Sequence, residues 1–131
     1  MKVLLIKPGK KPEIVDIEPG LESLQKIVGG NIQVVYPFED LVGLVVNDEG
    51  KIEKLHLNRA LRDDTGEMYD IVAGNLLVVG LTEDDFGSLS DELIEKYYKF
   101  FEYPEHFIFL NGHVYSRPYT ERELKAANQE D

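Results

Sequence analysis

Short apolar runs separated by glycine and proline organise the start of the chain. Residues 3–6 form an apolar run and residues 13–17 alternate polar with apolar positions, which predicts two strands that pair as a hairpin. In residues 21–28 the apolar positions recur on one face at helical spacing, and Gly29-Gly30 supplies residues that commonly end a helix. The pattern therefore predicts strand, strand and helix in that order.

The middle of the chain consists of apolar segments with turns between them. These segments predict strands at residues 31–36, 41–46, 51–57, 69–72 and 75–81. Residues 47–50, Asn-Asp-Glu-Gly, have the composition of a hairpin turn that would join the second and third of these strands. Residues 58–64 are mostly polar, which indicates a loop or a short helical turn. The middle of the chain is therefore expected to supply most of the sheet.

The C-terminal third changes to helical periodicity and then to aromatic residues. Over 89–101 apolar and aromatic residues recur every four positions, serines precede the repeat and acidic residues occupy its first turn, which predicts a helix. The stretch 103–119 predicts a strand or hairpin around Asn111-Gly112, a dipeptide typical of two-residue turns. Residues 120–131 form a polar tail, in which 121–127 has the composition of a short helix.

Together these elements indicate a single α+β domain. The 131-residue chain is 43% apolar and 30% charged, the composition of a globular protein with its own core. We expect a mainly antiparallel sheet with two helices, 21–28 and 89–101, packed on it, in a domain that spans 1–119. Residues 120–131 are left as the tail, and the segment Leu57–Leu81 is the expected centre of the fold.

The absence of cysteine narrows both the chemistry and the compartment. Without a thiol the chain has no disulfide, no thiolate metal ligand and no thiol nucleophile, which fits a reducing cytoplasm better than secretion. The first apolar run ends at Ile6, which is too short for a signal peptide. No segment approaches the roughly 20 apolar residues of a membrane-spanning helix. We therefore expect a soluble, cytoplasmic protein that does not interact with membranes.

The charge of the chain is strongly negative and unevenly distributed. The net charge is −11, and residues 82–131 hold 12 acidic and 5 basic residues, against 13 and 9 in residues 1–81. This balance argues against direct nucleic-acid binding, which normally uses a basic patch. Two interpretations remain: the charge only keeps the domain soluble, or it forms a negative surface that meets a basic protein partner, including one whose DNA site it mimics.

Candidate catalytic and metal-binding residues are few. Glu105, His106 and His113 could meet across the predicted hairpin and hold a metal ion, although isolated histidines are usually ordinary surface groups. The carboxylates of Asp63-Asp64 and of residues 83–85 could bind a cation or act as acid and base, but adjacent carboxylates usually form a solvated turn. Motifs for phosphate loops, dinucleotides, zinc proteases and serine hydrolases are missing. The sequence therefore assigns no catalytic residue, metal or cofactor.

One polar cluster is distinct from its apolar surroundings within Leu57–Leu81. It contains two arginines three residues apart, and a guanidinium group is a planar five-donor fork suited to a carboxylate or phosphate. Asp70 is the natural internal partner of these arginines. The candidate ligand or partner contacts are Asn58, Arg59, Arg62, Asp63, Asp70 and Asn75. The alternative is that Asn58 caps a turn and the arginines pair with the acids around them.

The same residues carry a resemblance to a known family. The runs at residues 57–63 (Leu-Asn-Arg-Ala-Leu-Arg-Asp), 67–80, 85–90, 21–30 and 34–38 resemble an uncharacterised bacterial family, domain of unknown function 3846. The resemblance covers roughly residues 2–101. It implies an accessory role in mobile elements, because that family occurs in low-GC Gram-positive bacteria, their phages and conjugative elements, often beside anti-restriction genes. It implies no reaction, cofactor or catalytic residue.

Charge and resemblance together favour a non-enzymatic accessory protein that acts by binding another protein. Its acidic face would meet a basic surface, as in anti-restriction or anti-defence proteins. The alternative is a small-molecule or nucleotide-binding domain, with or without enzymatic activity, that uses Asn58, Arg59, Arg62 and Asp70. A homodimer formed through the aromatic segment 103–119 is a third hypothesis.

Overall fold

The computed structural model describes residues 1–129, which fold into a main sheet, two separate hairpins and three helices. The strands are β1 (Lys2–Ile6), β2 (Glu13–Asp16), β3 (Ile32–Val35), β4 (Val42–Asn47), β5 (Leu57–Arg62), β6 (Met68–Ala73), β7 (Leu76–Leu81), β8 (Phe86–Gly87), β9 (Glu105–Leu110) and β10 (His113–Pro118). The helices are α1 (Leu21–Val28), α2 (Asp91–Phe100) and α3 (Glu121–Ala127). None of these helices combines the length and the hydropathy that crossing a membrane requires.

β7 lies at the centre of the main sheet because its sequence, Leu-Leu-Val-Val-Gly-Leu, carries no polar side chain. It pairs with β1 on one side and with β4 on the other, and the full order is β2-β1-β7-β4-β3. The two-residue strand β8 pairs with the last two residues of β7. All of these pairings are antiparallel, as predicted.

Side chains of alternate sheet residues point to opposite faces and build two cores. One core lies against α2 and includes Leu4, Ile6, Leu44, Leu76, Val78, Ile94, Tyr97 and Phe101. The other lies against α1 and includes Val3, Leu24, Val28, Val45, Leu77 and Val79. Burying each such side chain contributes about 1.5–3 kcal/mol. Leu61 and Val72 join the first core, which places the β5–β6 hairpin on the same side of the sheet as α2.

The first two helices follow their sequence signals closely. α1 has the predicted bounds and ends at Gly29, whose φ of 83° is the left-handed conformation typical of a helix C-terminus. α2 is shorter than the predicted span 89–101. The Leu89 N–H donates to the Lys2 carbonyl oxygen of β1 at 2.9 Å instead of to the helix, and Ser90 then caps the helix.

A third helix corrects the prediction that two helices pack on the sheet. Thr120 and Glu123 form a capping box that starts α3, so each side chain accepts a hydrogen bond from the other residue's backbone N–H. Leu124 is buried, and the Lys11 N–H donates to Asn128 Oδ1 at 2.9 Å. Most of the predicted 120–131 tail is therefore helical, and its last two residues lie outside the described ones.

One strand prediction and one loop prediction are wrong. The 51–57 segment is not the returning arm of a hairpin, because the Leu55 N–H donates to the Gly50 carbonyl oxygen at 2.9 Å and residues 48–54 form successive turns. The polar segment 58–64 is not a loop. Most of it is β5, which pairs with β6 as a separate two-stranded sheet.

The hairpin predicted in the aromatic stretch is confirmed. β9 and β10 pair in register from Leu110–His113 outwards, and Asn111 and Gly112 have φ values of 51° and 79°. Two consecutive positive φ angles are what a type I′ turn requires, and Asn-Gly is the dipeptide that adopts them most readily. This hairpin is a third sheet, so the strands form three sheets among residues 1–129 instead of the single one predicted.

Glu123 anchors α3 to this hairpin. Its carboxylate accepts a hydrogen bond from Arg117 Nη1 at 3.0 Å and from the Thr120 N–H at 2.9 Å, and it lies 2.8 Å from His106 Nε2. The Arg117 guanidinium above all, followed by the Thr120 N–H, lowers the pKa of Glu123 from 4.5 to about 2. The carboxylate is therefore bound in its charged form.

We expect acid to release this anchor. Because the folded-state pKa lies below the ordinary value, the stabilisation is complete above pH 4.5 and is lost as the pH falls from 4.5 towards about 2. An NMR titration of the Glu123 carboxyl carbon and the Leu124 amide measures the ionisation and the docking of α3 together. Glu123→Gln should remove this part of the pH dependence, and a Glu123 carboxyl that titrates near 4.5 in the folded protein would contradict the assignment.

Candidate functional site

Asn58 is buried at the start of β5 and joins three parts of the chain. The residue is only 1% exposed to solvent. Nδ2 donates to the carbonyl oxygens of Ile6 and Gly74, both at 2.8 Å, which ties the end of β1 to the turn between β6 and β7. Its Oδ1 accepts from Arg59 Nη1 at 2.9 Å. The amide therefore replaces backbone pairing where the main sheet meets the β5–β6 hairpin.

Arg59 is the largest fully buried side chain, and it too is 1% exposed. Nε and Nη2 donate to the Phe101 carbonyl oxygen at 3.2 and 2.8 Å, and Nη2 also donates to the Lys10 carbonyl oxygen at 2.7 Å. Phe101 follows α2, and the free carbonyl groups of a helix C-terminus favour a cation. The guanidinium therefore fastens the end of α2 to the loop after β1.

The charge and the donors of Arg59 are fully used inside the protein. Burial lowers the pKa of the guanidinium to about 10, and nearby Glu105 partly opposes that effect, so the group stays charged at neutral pH. Its N–H groups contact carbonyl oxygens of Phe101, Lys10 and Asn58 and the Asn58 side chain. Within residues 1–129 no buried side-chain nitrogen or oxygen lacks a hydrogen-bond partner. Asn58 and Arg59 therefore have no free donor for a ligand.

Glu105 completes this network, and no local sequence pattern connects it with β5. Its Oε2 accepts from the Ala60 N–H at 3.1 Å, and its Oε1 accepts from Arg62 Nη2 at 3.4 Å and from the Ser116 hydroxyl. The Glu105 side chain is only 14% exposed, whereas that of Arg62 is 41% exposed. The carboxylate thus fixes the β9–β10 hairpin to β5, and Arg62 is its solvent-facing partner.

The remaining predicted contacts lie elsewhere. Asp70 forms an ion pair with Lys51, so the prediction that it is the partner of the arginines is wrong. Asp63 closes the β5–β6 turn by accepting from the Thr65 N–H at 2.9 Å and from the Thr65 hydroxyl at 2.6 Å. The Thr65 hydroxyl above all, followed by the Glu67 N–H, lowers the pKa of the Asp63 carboxyl. Asn75 Nδ2 donates to the Ile27 carbonyl oxygen at 3.1 Å. The six residues therefore do not converge on one site.

Three cavities flank the β5–β6 hairpin. One, of about 210 Å³, is lined by Arg59, Arg62 and Glu105 together with the rings of Phe38, Tyr69, Phe100 and Tyr103. Asp70 and Lys51 line the other two, of about 260 and 290 Å³. Ligand pockets usually measure about 300–1,000 Å³. Only Arg62 brings a predicted, solvent-accessible polar group to the aromatic cavity, so the geometry offers little to a reaction.

The metal set considered from the sequence does not assemble. Glu105 points to the face of β9 that contacts β5, whereas His106 points to the opposite face, stacks on Tyr119 at 4.2 Å and contacts Glu123. His113 pairs with Leu110 at the far end of the hairpin. Alternation of side chains along a strand separates Glu105 from His106. No group of three or more metal-ligating side chains occurs in the described part of the chain.

A different surface gathers exposed carboxylates. Lys2 pairs with Asp16 across β1 and β2, and the Leu89 N–H bonds to the Lys2 carbonyl oxygen, so the end of β2 lies beside the segment before α2. Leu21 and Phe86 line one cavity, which brings the start of α1 to the same end of the sheet. The exposed carboxylates of this acid-rich end belong to Asp16, Glu18, Glu22, Glu83, Asp84, Asp85, Asp91 and Glu92. Asn58 and Arg59 lie at the opposite end of β1.

Comparison with known proteins supports the resemblance noted in the sequence. Residues 1–102 match the family described as domain of unknown function (DUF3846). The match extends from β1 through α2, so it includes the Asn58–Arg59 pair and the acid-rich end but leaves out α3 and the β9–β10 hairpin. Comparisons with curated proteins and with solved structures each gave no match. The chain therefore belongs to the family of the domain of unknown function DUF3846.

Proposed function

We propose that this protein is a non-enzymatic accessory protein of phage or mobile-element origin, and that it acts by binding a basic surface of another protein. The acid-rich end is the surface that would make this contact, and a restriction or defence protein of the host is the partner that the family context favours. The observation that carries the proposal is the convergence of exposed carboxylates from β2, α1, the β7–β8 turn and α2 at one end of the fold.

The repulsion between these carboxylates destabilises the folded protein unless positive charge offsets it. Like charges on neighbouring segments repel, and the ionic contacts described at this end, Met1 α-ammonium with Asp16 at 3.1 Å and Lys2 Nζ with Asp91 at 3.9 Å, leave most of the eight carboxylates unpaired. A basic partner relieves the repulsion and is attracted from a distance, which raises its association rate. A surface of this kind suits a protein that competes with DNA for a cationic site.

A small-molecule site built on the polar cluster has less support. Asn58 and Arg59 donate their N–H groups to carbonyl oxygens of the chain itself. Asp70 lines a different cavity from the one that Arg59 and Arg62 line. These contacts describe a structural joint between β1, β5 and α2. Chemistry would need accessible groups that converge on one point, but the two accessible members, Arg62 and Asp70, line different cavities.

Charge reversal at the acid-rich end tests the proposal. We expect Glu18→Lys, Glu83→Lys and Asp84→Lys together to weaken binding to purified restriction and defence proteins of the source bacterium by at least about tenfold at low salt, because each removes a favourable long-range charge. The measurement is a calorimetric titration, with inhibition of DNA binding by the same partner as a second readout.

The matched control changes the net charge equally at the other end of the fold. Glu49→Lys, Asp64→Lys and Glu67→Lys alter exposed positions in the turns beside β4, β5 and β6. This variant should bind almost as tightly as the unmodified protein. If no restriction or defence protein associates at low salt, or if both variants lose binding equally, the proposed surface is wrong.

A further inference from the structure

The distal half of the β9–β10 hairpin exposes apolar side chains that the fold does not use. Directly opposed residues share a face of the hairpin, so Ile108 lies beside Tyr115 and Leu110 beside His113. We call this the outer face. α3 covers it only near the strand ends, through the contacts of its glutamate with the hairpin. Towards the turn, Ile108, Leu110 and Tyr115 remain 48%, 57% and 52% exposed.

The same hairpin is nearly free of negative charge. Residues 106–120 contain no aspartate or glutamate, although the chain carries 25 acidic residues and a net charge of −11. Two copies of such a protein repel each other over most of their surfaces. A contact between copies is therefore least opposed where carboxylates are missing, as they are along residues 106–120.

β10 also has an unpaired backbone edge. Among the described residues β9 is its strand partner, and no other backbone hydrogen bond reaches the opposite edge between positions 113 and 117. The two-residue turn makes Leu110 and His113 a hydrogen-bonded pair, so the outward-facing N–H and C=O groups belong to Val114 and Ser116. An edge of this kind is a template for pairing with another chain.

The positions on this edge are self-complementary. Val114 and Ser116 lie one residue before and one residue after Tyr115. When a second copy of β10 runs antiparallel to the first, Val114 meets the second copy's Ser116, Ser116 meets the second copy's Val114, and Tyr115 lies on the two-fold axis. An isologous contact needs this reciprocity, because the same patch must fit itself.

We propose that this protein forms a two-fold symmetric dimer in which β10 pairs antiparallel with β10 of a second copy, centred on Tyr115. The four strands form one continuous sheet across the axis, and on its outer face the two Tyr115 side chains lie side by side. The contact lies outside the residues matched by the family, and none of its residues belongs to the acid-rich end. It is therefore independent of the proposed function.

Sedimentation velocity over a wide range of protein concentration is the first test. The unmodified protein should sediment as a dimer, and Tyr115→Glu should give a monomer, because it places two like charges directly opposite each other across the axis. Tyr36→Glu is the control, since Tyr36 is also exposed, at 60%, but follows β3 of the main sheet. A monomer at every concentration for the unmodified protein, or equal dissociation of the control, would overturn the proposal and leave the outer face to a different partner.

Cysteine cross-linking tests the register of the dimer. The chain contains no cysteine, so Tyr115→Cys introduces a single thiol. In the proposed pairing the two copies of residue 115 form a non-hydrogen-bonded pair with Cα atoms about 4.5 Å apart, which lies within the range of a disulfide. Mild oxidation should yield a covalent dimer. Tyr36→Cys, at a position that is 60% exposed, should remain largely uncrosslinked. A dimer in solution without a Tyr115→Cys cross-link would refute the pairing of β10.

The effect of added salt distinguishes the proposed dimer contact from the proposed contact at the acid-rich end. Added salt screens the repulsion between two copies of charge −11, so the dimer should become tighter. Binding of a basic partner to the acid-rich end should become weaker under the same change. Failure of one effect with the other intact shows which proposal is wrong.

Discussion

Arg59→Ala is expected to lower the free energy of unfolding by about 3–5 kcal/mol, a large fraction of what holds a domain of this size together. The substitution leaves the Phe101 and Lys10 carbonyl oxygens without their donor and opens a cavity where a fully buried side chain was. Both effects act at the joint between α2 and the loop after β1. Urea denaturation followed by circular dichroism measures the change.

Arg62→Ala is the matched control for this result. Its guanidinium is 41% exposed and contacts Glu105 at 3.4 Å, so its loss should change the stability by no more than about 1 kcal/mol. Arg59→Lys should be nearly as destabilising as Arg59→Ala, because an ammonium group cannot bridge Phe101 and Lys10 with a planar fork. Equal effects of Arg59→Ala and Arg62→Ala would contradict a structural role for the buried cation.

Gly80→Ala should cost about 3 kcal/mol through overpacking. A Cβ atom at this position would lie 2.4 Å from the Ser88 carbonyl oxygen and 3.1 Å from that of Gly87. Both obstacles are backbone atoms, so relief requires β8 to separate from β7. We expect a lower thermal midpoint and faster hydrogen exchange at Leu81 and Phe86, which pair across these two strands.

Gly87→Ala provides the comparison within the same strand pair, since Gly87 lies opposite Gly80. Its Cβ would meet Thr82 Cγ2 at 2.9 Å, and moving that methyl group also disturbs the two hydrogen bonds between the Thr82 hydroxyl and Asp85. The expected cost is about 1–2 kcal/mol, less than for Gly80→Ala because no strand has to move. If Gly87→Ala destabilises the protein as much as Gly80→Ala, contact with backbone is not what makes Gly80 necessary.

The parts of the fold that the sequence predicts correctly are those with a local signal. β7 is an uninterrupted apolar run, and such a run has no stable place except between two other strands. α1 combines a one-sided apolar pattern with a glycine that accepts the left-handed conformation. The Asn111-Gly112 turn is encoded by two adjacent residues. In each case the residues that decide the structure lie within a few positions of one another.

The prediction of a loop at residues 58–64 is wrong because the polar side chains of β5 have hydrogen-bond partners that are distant in sequence. Asn58 and Arg59 look like loop residues, yet they donate to Ile6, Lys10 and Phe101, between 42 and 52 positions away. No local pattern predicts that such distant carbonyl oxygens are available. The same reason hides Glu105, whose contacts with Ala60 and Arg62 join segments more than 40 residues apart.

The position of β7 has a consequence for synthesis of the protein on the ribosome. The β1–β2 and β3–β4 hairpins are each contiguous in the chain, but β7 lies between them and is made after both. Ile6 pairs with Leu76, so β1 waits about 70 residues for its central neighbour. At ordinary translation rates that interval lasts on the order of 10 s. Throughout it the apolar residues of β1 are open to chaperones, and a nascent chain released before β7 emerges lacks the strand that joins the two hairpins.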